Sequence, residues 1–137
     1  MPAYFNGTLY YGSRGDPLQA FPIANALVAA APASQSAASF SYPGTTPAIS
    51  ASGTSNGIVW AVENSNPAVL HAYDATNLTR ELYNSTQAGS RDAFGAGNKF
   101  ITPMIANGRV YVGTASGVAV FGRFGPGAPT NLRISIP

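Results

Sequence analysis

His71 is the only histidine in the 137 residues, and there is no cysteine. A metal site with two imidazoles, any thiolate ligand and every disulfide are therefore excluded within one chain. As a general base, His71 needs a carboxylate to orient it. Asp74 is the near one in sequence, but along a strand an odd separation sends two side chains to opposite faces, so this pair forms no dyad. His71 is read as a strand residue, with ligand contact as the alternative, and Asp74 to Asn77 as the turn that leaves its strand.

Trp60 is the single tryptophan. It could stack on a sugar, yet it occupies the position held by Tyr10 and Tyr111 in similar stretches of chain, and repetition at equivalent places is what packing between repeated units requires. Arg91, Asp92 and Lys99 lie in the longest polar connection, 87–99. Its glycines and cations could cradle an anion, but no helix pattern follows to supply the N-terminal dipole of a phosphate loop. If a ligand is bound, these three with Trp60 and His71 are the candidate binding residues. An Arg91–Asp92 pair is the structural alternative. No Gly-x-Ser-x-Gly elbow occurs, and Asp16, Asp74 and Asp92 are too dispersed in sequence for a calcium loop. No catalytic residue, metal or cofactor is assigned.

The elements that must carry these residues are strands. The run 103–121 contains Pro103, then Asn107-Gly108, then Val110-Tyr111-Val112-Gly113. The same order opens the chain as Pro2, Asn6-Gly7 and Leu9-Tyr10-Tyr11-Gly12. Asn-Gly is the strongest short signal for a two-residue hairpin turn. A looser middle copy begins at Pro47 and reaches Asn56-Gly57 after a longer loop. A third strand ending on an aromatic follows in each copy, at 18–21, 69–73 and 118–121. The first two copies offer a fourth strand, at 39–42 and 80–83. Ala26 to Ala38 is Ala-rich but interrupted by Pro32, and reads as a short irregular segment. Starting prolines 45 and 56 residues apart fall in the range of four-stranded propeller blades.

The repeated Pro-x-x-x-Asn-Gly-x-aliphatic-Tyr-x-Gly, the stretch Ala-Val-Leu-His-Ala-Tyr-Asp-Ala-Thr-Asn-Leu at 68–78, and Lys99-Phe100-Ile101-Thr102-Pro103 together resemble the C-terminal blades of bacterial quinoprotein-like β-propellers, the pyrrolo-quinoline-quinone-like repeat proteins. The resemblance covers residues 2–122. It implies an all-β fold, a partial β-propeller of two complete four-stranded blades (2–44 and 45–90) plus an incomplete third (99–124). A linker and a C-terminal strand follow at 125–137, where 131–136 alternates apolar and polar. It also implies an extracellular or periplasmic setting, although 1–12 carries no export signal. Enzymes of that family place an acidic residue and calcium beside the quinone and use a Trp-rich docking repeat. With Trp60 alone, cofactor binding is not expected.

Composition narrows the partners. Only 9% of residues are charged, against about 25% in a typical soluble domain. The net charge of +2 is scattered, without the basic stripe that nucleic acid requires. No apolar run reaches the roughly 18 residues of a membrane helix. Two blades and part of a third would leave two apolar blade faces uncovered, so the expected partner is another copy of the chain, with the propeller completed by oligomerisation. The expected function is a non-catalytic binding or scaffold module. The alternatives are lectin-like carbohydrate or other small-molecule binding between blades, and a hydrolase or lactonase whose site forms at an oligomer axis.

Overall fold

The computed structural model describes residues 1–122, so the linker and strand expected beyond that point lie outside the described residues. The described residues are mostly β, arranged in three antiparallel sheets, none of them closed. The first sheet holds β1 (Ala3–Phe5), β2 (Thr8–Gly12), β3 (Pro17–Ala24) and β5 (Ser34–Ser39), with β4 (Leu27–Val28) folded back on the end of β3. The second holds β6 (Ala48–Ser52), β7 (Ser55–Glu63), β8 (Val69–Asp74) and β9 (Asn77–Asn84). The third holds β10 (Met104–Ala106), β11 (Arg109–Gly113) and β12 (Val118–Gly122). Each sheet corresponds to one sequence repeat.

The outer two repeats turn where Asn-Gly requires. Asn6 and Gly7 have φ of 46° and 77°, and Asn107 and Gly108 have 50° and 69°. Each pair links strands whose flanking residues face each other, Phe5 with Thr8 and Ala106 with Arg109. The middle repeat departs from expectation. Its hairpin turns at Gly53-Thr54, with Ser52 opposite Ser55, and Asn56-Gly57 lies inside β7. Between Ser50↔Ile58 and Ser52↔Ser55, β7 carries one residue more than β6, and Asn56 (φ 53°) absorbs this bulge.

Gly57 is needed there for space rather than for a turn. A Cβ on it would sit 2.4 Å from the Phe5 ring and 2.8 Å from the Ala75 methyl, while the Gly57 carbonyl accepts from the Ala75 amide at 3.0 Å.

The first sheet's outer strand is also shifted from expectation. It is β5 (Ser34–Ser39) rather than 39–42, and it runs through the Ala- and Ser-rich segment read as irregular. Alanine and serine have weak strand propensity, but small side chains let another sheet approach closely. Ser36 Oγ accepts from the Leu18 amide at 2.9 Å and donates to the Ala38 carbonyl, and Ser34 Oγ accepts from Leu78 N on β9 at 3.1 Å. Tertiary hydrogen bonds thus set β5 where local propensity does not.

The sheets stack face to face. One core joins Tyr10, Leu18, Ala20 and Phe40 of the first repeat to Val59, Ala61, Tyr73 and Leu78 of the second. Another joins Val62 and Leu70 to Val110, Val112 and the loop residue Phe94. In β7, alternate residues serve the two sides, with Val59 and Ala61 toward the first sheet and Trp60 and Val62 toward the third. The first strands lie together, β6 touching both β1 and β10, while β5 packs on β9.

Gly57→Ala is therefore expected to cost about 1–3 kcal/mol through forced displacement of Phe5 and the Ala75 turn. Urea unfolding followed by tryptophan fluorescence measures it; an unchanged midpoint would contradict the close approach.

Candidate functional site

His71 lies on β8, facing the first sheet. Its ring is stacked on Tyr73 at 5.8 Å with 6° between planes, and meets Phe40 edge-on at 5.7 Å. The side chain is only 7% exposed. Hairpin register brings it two carboxylates that sequence reasoning missed. Ala61 faces His71 across β7–β8, placing Glu63 two residues further on, and Glu81 comes from β9. Nδ1 lies 2.6 Å from Glu81 Oε1 and Nε2 lies 3.4 Å from Glu63 Oε2. Asp74 is turned elsewhere, as the parity argument expects. Its Oδ1 accepts from the Thr76 amide and hydroxyl, and its Oδ2 from Arg80 Nη1 at 3.0 Å.

Chemically this cluster holds a ring in place. Among the described residues both ring nitrogens meet carboxylates, Nδ1 closely and Nε2 at longer range. The neighbouring Tyr73 hydroxyl is sealed from solvent without a hydrogen bond of ordinary geometry, although Glu81 and Ser36 lie close enough to act on it. Burial first, and the Glu81 charge second, push its ionisation well above the usual tyrosine value.

Trp60 sits on the opposite face of the second sheet, packed against the core shared with the third. Its indole N–H donates to Ser50 Oγ at 2.8 Å, and its register neighbours are Ala48 and Ala72. Arg91 and Asp92 end a run of 3-10 turns, Ser85–Asp92, kinked at Gly89. They form the structural pair, with Arg91 Nε 2.8 Å from Asp92 Oδ1, and the Tyr83 hydroxyl donates to Asp92 Oδ2. The guanidinium of Arg91, helped by Tyr83, holds the Asp92 carboxyl below its usual range. Burial, then the Asp92 carboxylate, drives the Tyr83 hydroxyl well above its own. Asp74 is likewise lowered, by Thr76 first and Arg80 second.

Lys99 stands apart from the other four, at one end of the sheets, where two stitched loop pairs converge. Thr45 N donates to Gly12 O, and Gly15 N and Phe40 N exchange hydrogen bonds with Phe40 O and Asp16 O, joining the β2–β3 loop to the chain between the first two sheets. Ala68 N to Gly95 O and Gly97 N to Ser65 O join the β7–β8 loop to the chain between the second and third sheets. Between the two pairs opens a cavity of about 320 Å³, whose lining includes Arg14, Thr45, Asn64, Asn98 and Phe100. Close backbone approaches shape it: a Cβ on Gly44 would meet Gly12 O at 2.8 Å, and one on Gly97 would meet Asn64 Oδ1 at 2.5 Å. The five sequence candidates thus occupy four separate places, and a concave site lies beside Lys99. Its Arg14, Asn64 and Phe100 were not legible, because they come from loops whose meeting depends on how the sheets stack.

No family model, curated protein or solved structure matches the chain.

The His71 cluster is expected to be a stability element. His71→Ala should cost about 2–3 kcal/mol by unpairing two carboxylates and emptying ring contacts, and His71→Phe should cost less because ring packing survives. Denaturant titration gives the order, and an Ala variant as stable as the parent would exclude this role. The pH profile follows from the shifted groups. Carboxyls held low in the folded state contribute stability above their unfolded value near pH 4, and this is lost as pH falls. Tyrosines held high contribute below about pH 10, and this is lost as pH rises. Melting should be steady between roughly pH 5 and 9 and decline on both sides. With only five carboxylates in the chain, Asp92→Asn should visibly flatten the acid limb.

Proposed function

We propose that the chain is a non-catalytic binding or scaffold module built as part of a β-propeller of the quinoprotein-like kind, and that it assembles with copies of itself. The carrying observation is that the two sheet faces left uncovered among the described residues resemble the two halves of an interface the chain makes twice. On the side that meets the following sheet, Tyr10 stands between Ala3 and Ala20, and Trp60 between Ala48 and Ala72. Tyr111, between Met104 and Val120, holds the same position in the third sheet and faces away from the other two. On the side that meets the preceding sheet, an aliphatic residue faces an aromatic across the second and third strands, Val59 with Tyr73 and Val110 with Phe121. The first sheet offers Leu9 with Phe21 in that place.

Such a face costs free energy in water at roughly 25 cal/mol per Å² of apolar surface, so covering it drives association. The contact is head to tail. A cyclic pair would bring five to six blades together and a cyclic trio about eight, within the range in which propellers close. A stacking site for sugar at Trp60 is not favoured, since its ring packs between sheets and its N–H is satisfied within the chain.

Native mass spectrometry should find multiples of the 14.0 kDa chain. Tyr111→Glu and Tyr11→Glu, on opposite uncovered faces, should each yield folded monomer. A parent protein that remains monomeric with a cooperative melt would overturn the proposal.

A further inference from the structure

Arg14 and Lys99 reach the same aromatic ring from different loops. Arg14 Cζ lies 5.5 Å and Lys99 Nζ 5.3 Å from the centroid of Tyr42. Arg80 and Arg91 have carboxylate partners, but neither Arg14 nor Lys99 makes an ion pair among the described residues. The nearby Asp16 carboxylate instead accepts the Ser13 hydroxyl. No lining residue of the adjoining cavity is acidic. Each cation is attracted to the ring face, and the lining of the cavity beside them supplies no counter-charge.

The same rim carries exposed apolar surface and a strained backbone. Phe100 is 73% exposed, meets Tyr42 edge-on at 6.4 Å, and has φ of 63°, a region that disfavours a bulky side chain. The Tyr42 contact leaves most of the ring in water, and strain of this kind gathers at ligand sites. Asn64 and Asn98 add amide groups to the lining, Asn64 being held by its bond from Nδ2 to the Tyr42 carbonyl at 3.0 Å. Arg14, the Asn64 and Asn98 amides and the exposed Phe100 ring line about 320 Å³, with Lys99 and Tyr42 next in the chain to lining residues, and this suits a small molecule with one anionic end and one flat apolar end.

We infer that this cavity binds a small aromatic or similarly planar carboxylate, its anionic group on Arg14 with Lys99 adding positive charge from beside the lining, and its flat body against Phe100. This site is independent of the uncovered sheet faces, so its failure would leave the assembly proposal intact.

Benzoate, benzyl alcohol, acetate and inorganic phosphate serve as probes, titrated into the full chain and followed by amide chemical shifts. Benzoate should bind saturably, in the millimolar range expected of a fragment, with shifts concentrated at 13–14, 42–46 and 97–101. Benzyl alcohol and acetate should each bind at least tenfold more weakly. Arg14→Gln with Lys99→Gln should lose benzoate tenfold or more without lowering the melting temperature. Phe100→Gly should weaken benzoate while leaving the melting temperature unchanged or raised, because glycine accepts the positive φ. The inference is overturned if benzyl alcohol matches benzoate, if phosphate binds as tightly as benzoate, if the double variant retains affinity, or if the shifts fall elsewhere.

Discussion

Everything in this molecule depends on stacking sheets that are apolar on both sides. A two-sided apolar sheet has no solvated face of its own, so it is stable only between neighbours. The second sheet shows the consequence most plainly. Along β7, Val59, Trp60, Ala61 and Val62 alternate between two cores, and there is no polar side left to give to water. With 9% charged residues the chain has little means of solvating a face by other routes. Hydroxyl and amide side chains instead satisfy backbone at the sheet edges and turns, as Ser36, Asn77 and Asn84 do.

The two stacks are not built alike. Between the second and third sheets the contact is apolar, with the Trp60 indole satisfied at the rim by Ser50. Between the first and second it is partly polar: Tyr10 donates across the gap to the Ala75 carbonyl at 2.7 Å, Ser34 accepts from Leu78, and His71 with its two glutamates meets Phe40. Directional bonds fix how far one sheet slides over the other, a constraint that apolar contact alone supplies weakly. Gly57 adds a steric stop, since Phe5 rests where its side chain would be. The first pair of sheets is thus locked in one registration, and the third is fastened by burial and by the loop carrying Phe94.

What was legible in the sequence divides along physical lines. Asn6-Gly7 and Asn107-Gly108 were readable because a two-residue turn demands positive φ and few residues supply it. Asn56-Gly57 carries the same letters but answers two other demands, a bulge and a close approach, and neither leaves a local signal. β5 was misplaced because its strand state comes from Leu18 and Leu78, residues distant in sequence. For His71, parity along one strand correctly removed Asp74. Finding Glu63 and Glu81 required the register of two hairpins, and that register includes shifts in β8–β9 that no pattern announces. Lys99 is legible from its loop and charge, whereas Arg14, its companion at Tyr42, sits in a tight turn far upstream and acquires meaning only when the sheets are stacked.

The direction of the stack bears on what kind of assembly the proposal implies. The first two sheets set an aromatic between alanines on one face, the third sets Tyr111 between Met104 and Val120, and all three carry an aliphatic–aromatic pair on the other face, so the two faces differ and the contact is heterologous. A twofold dimer that paired like faces would set Tyr111 against Tyr111, or Leu9 against Leu9, and would forgo the complementarity used inside the chain. Head-to-tail contacts either close into a ring, when the rotation between sheets divides the circle, or run on as a filament. β6 touches both β1 and β10, and β5 lies against β9, so the first two sheets meet at their first and at their outer strands alike. In the proposed assembly the same two kinds of contact would recur between copies, and the rotation from sheet to sheet would decide between ring and filament.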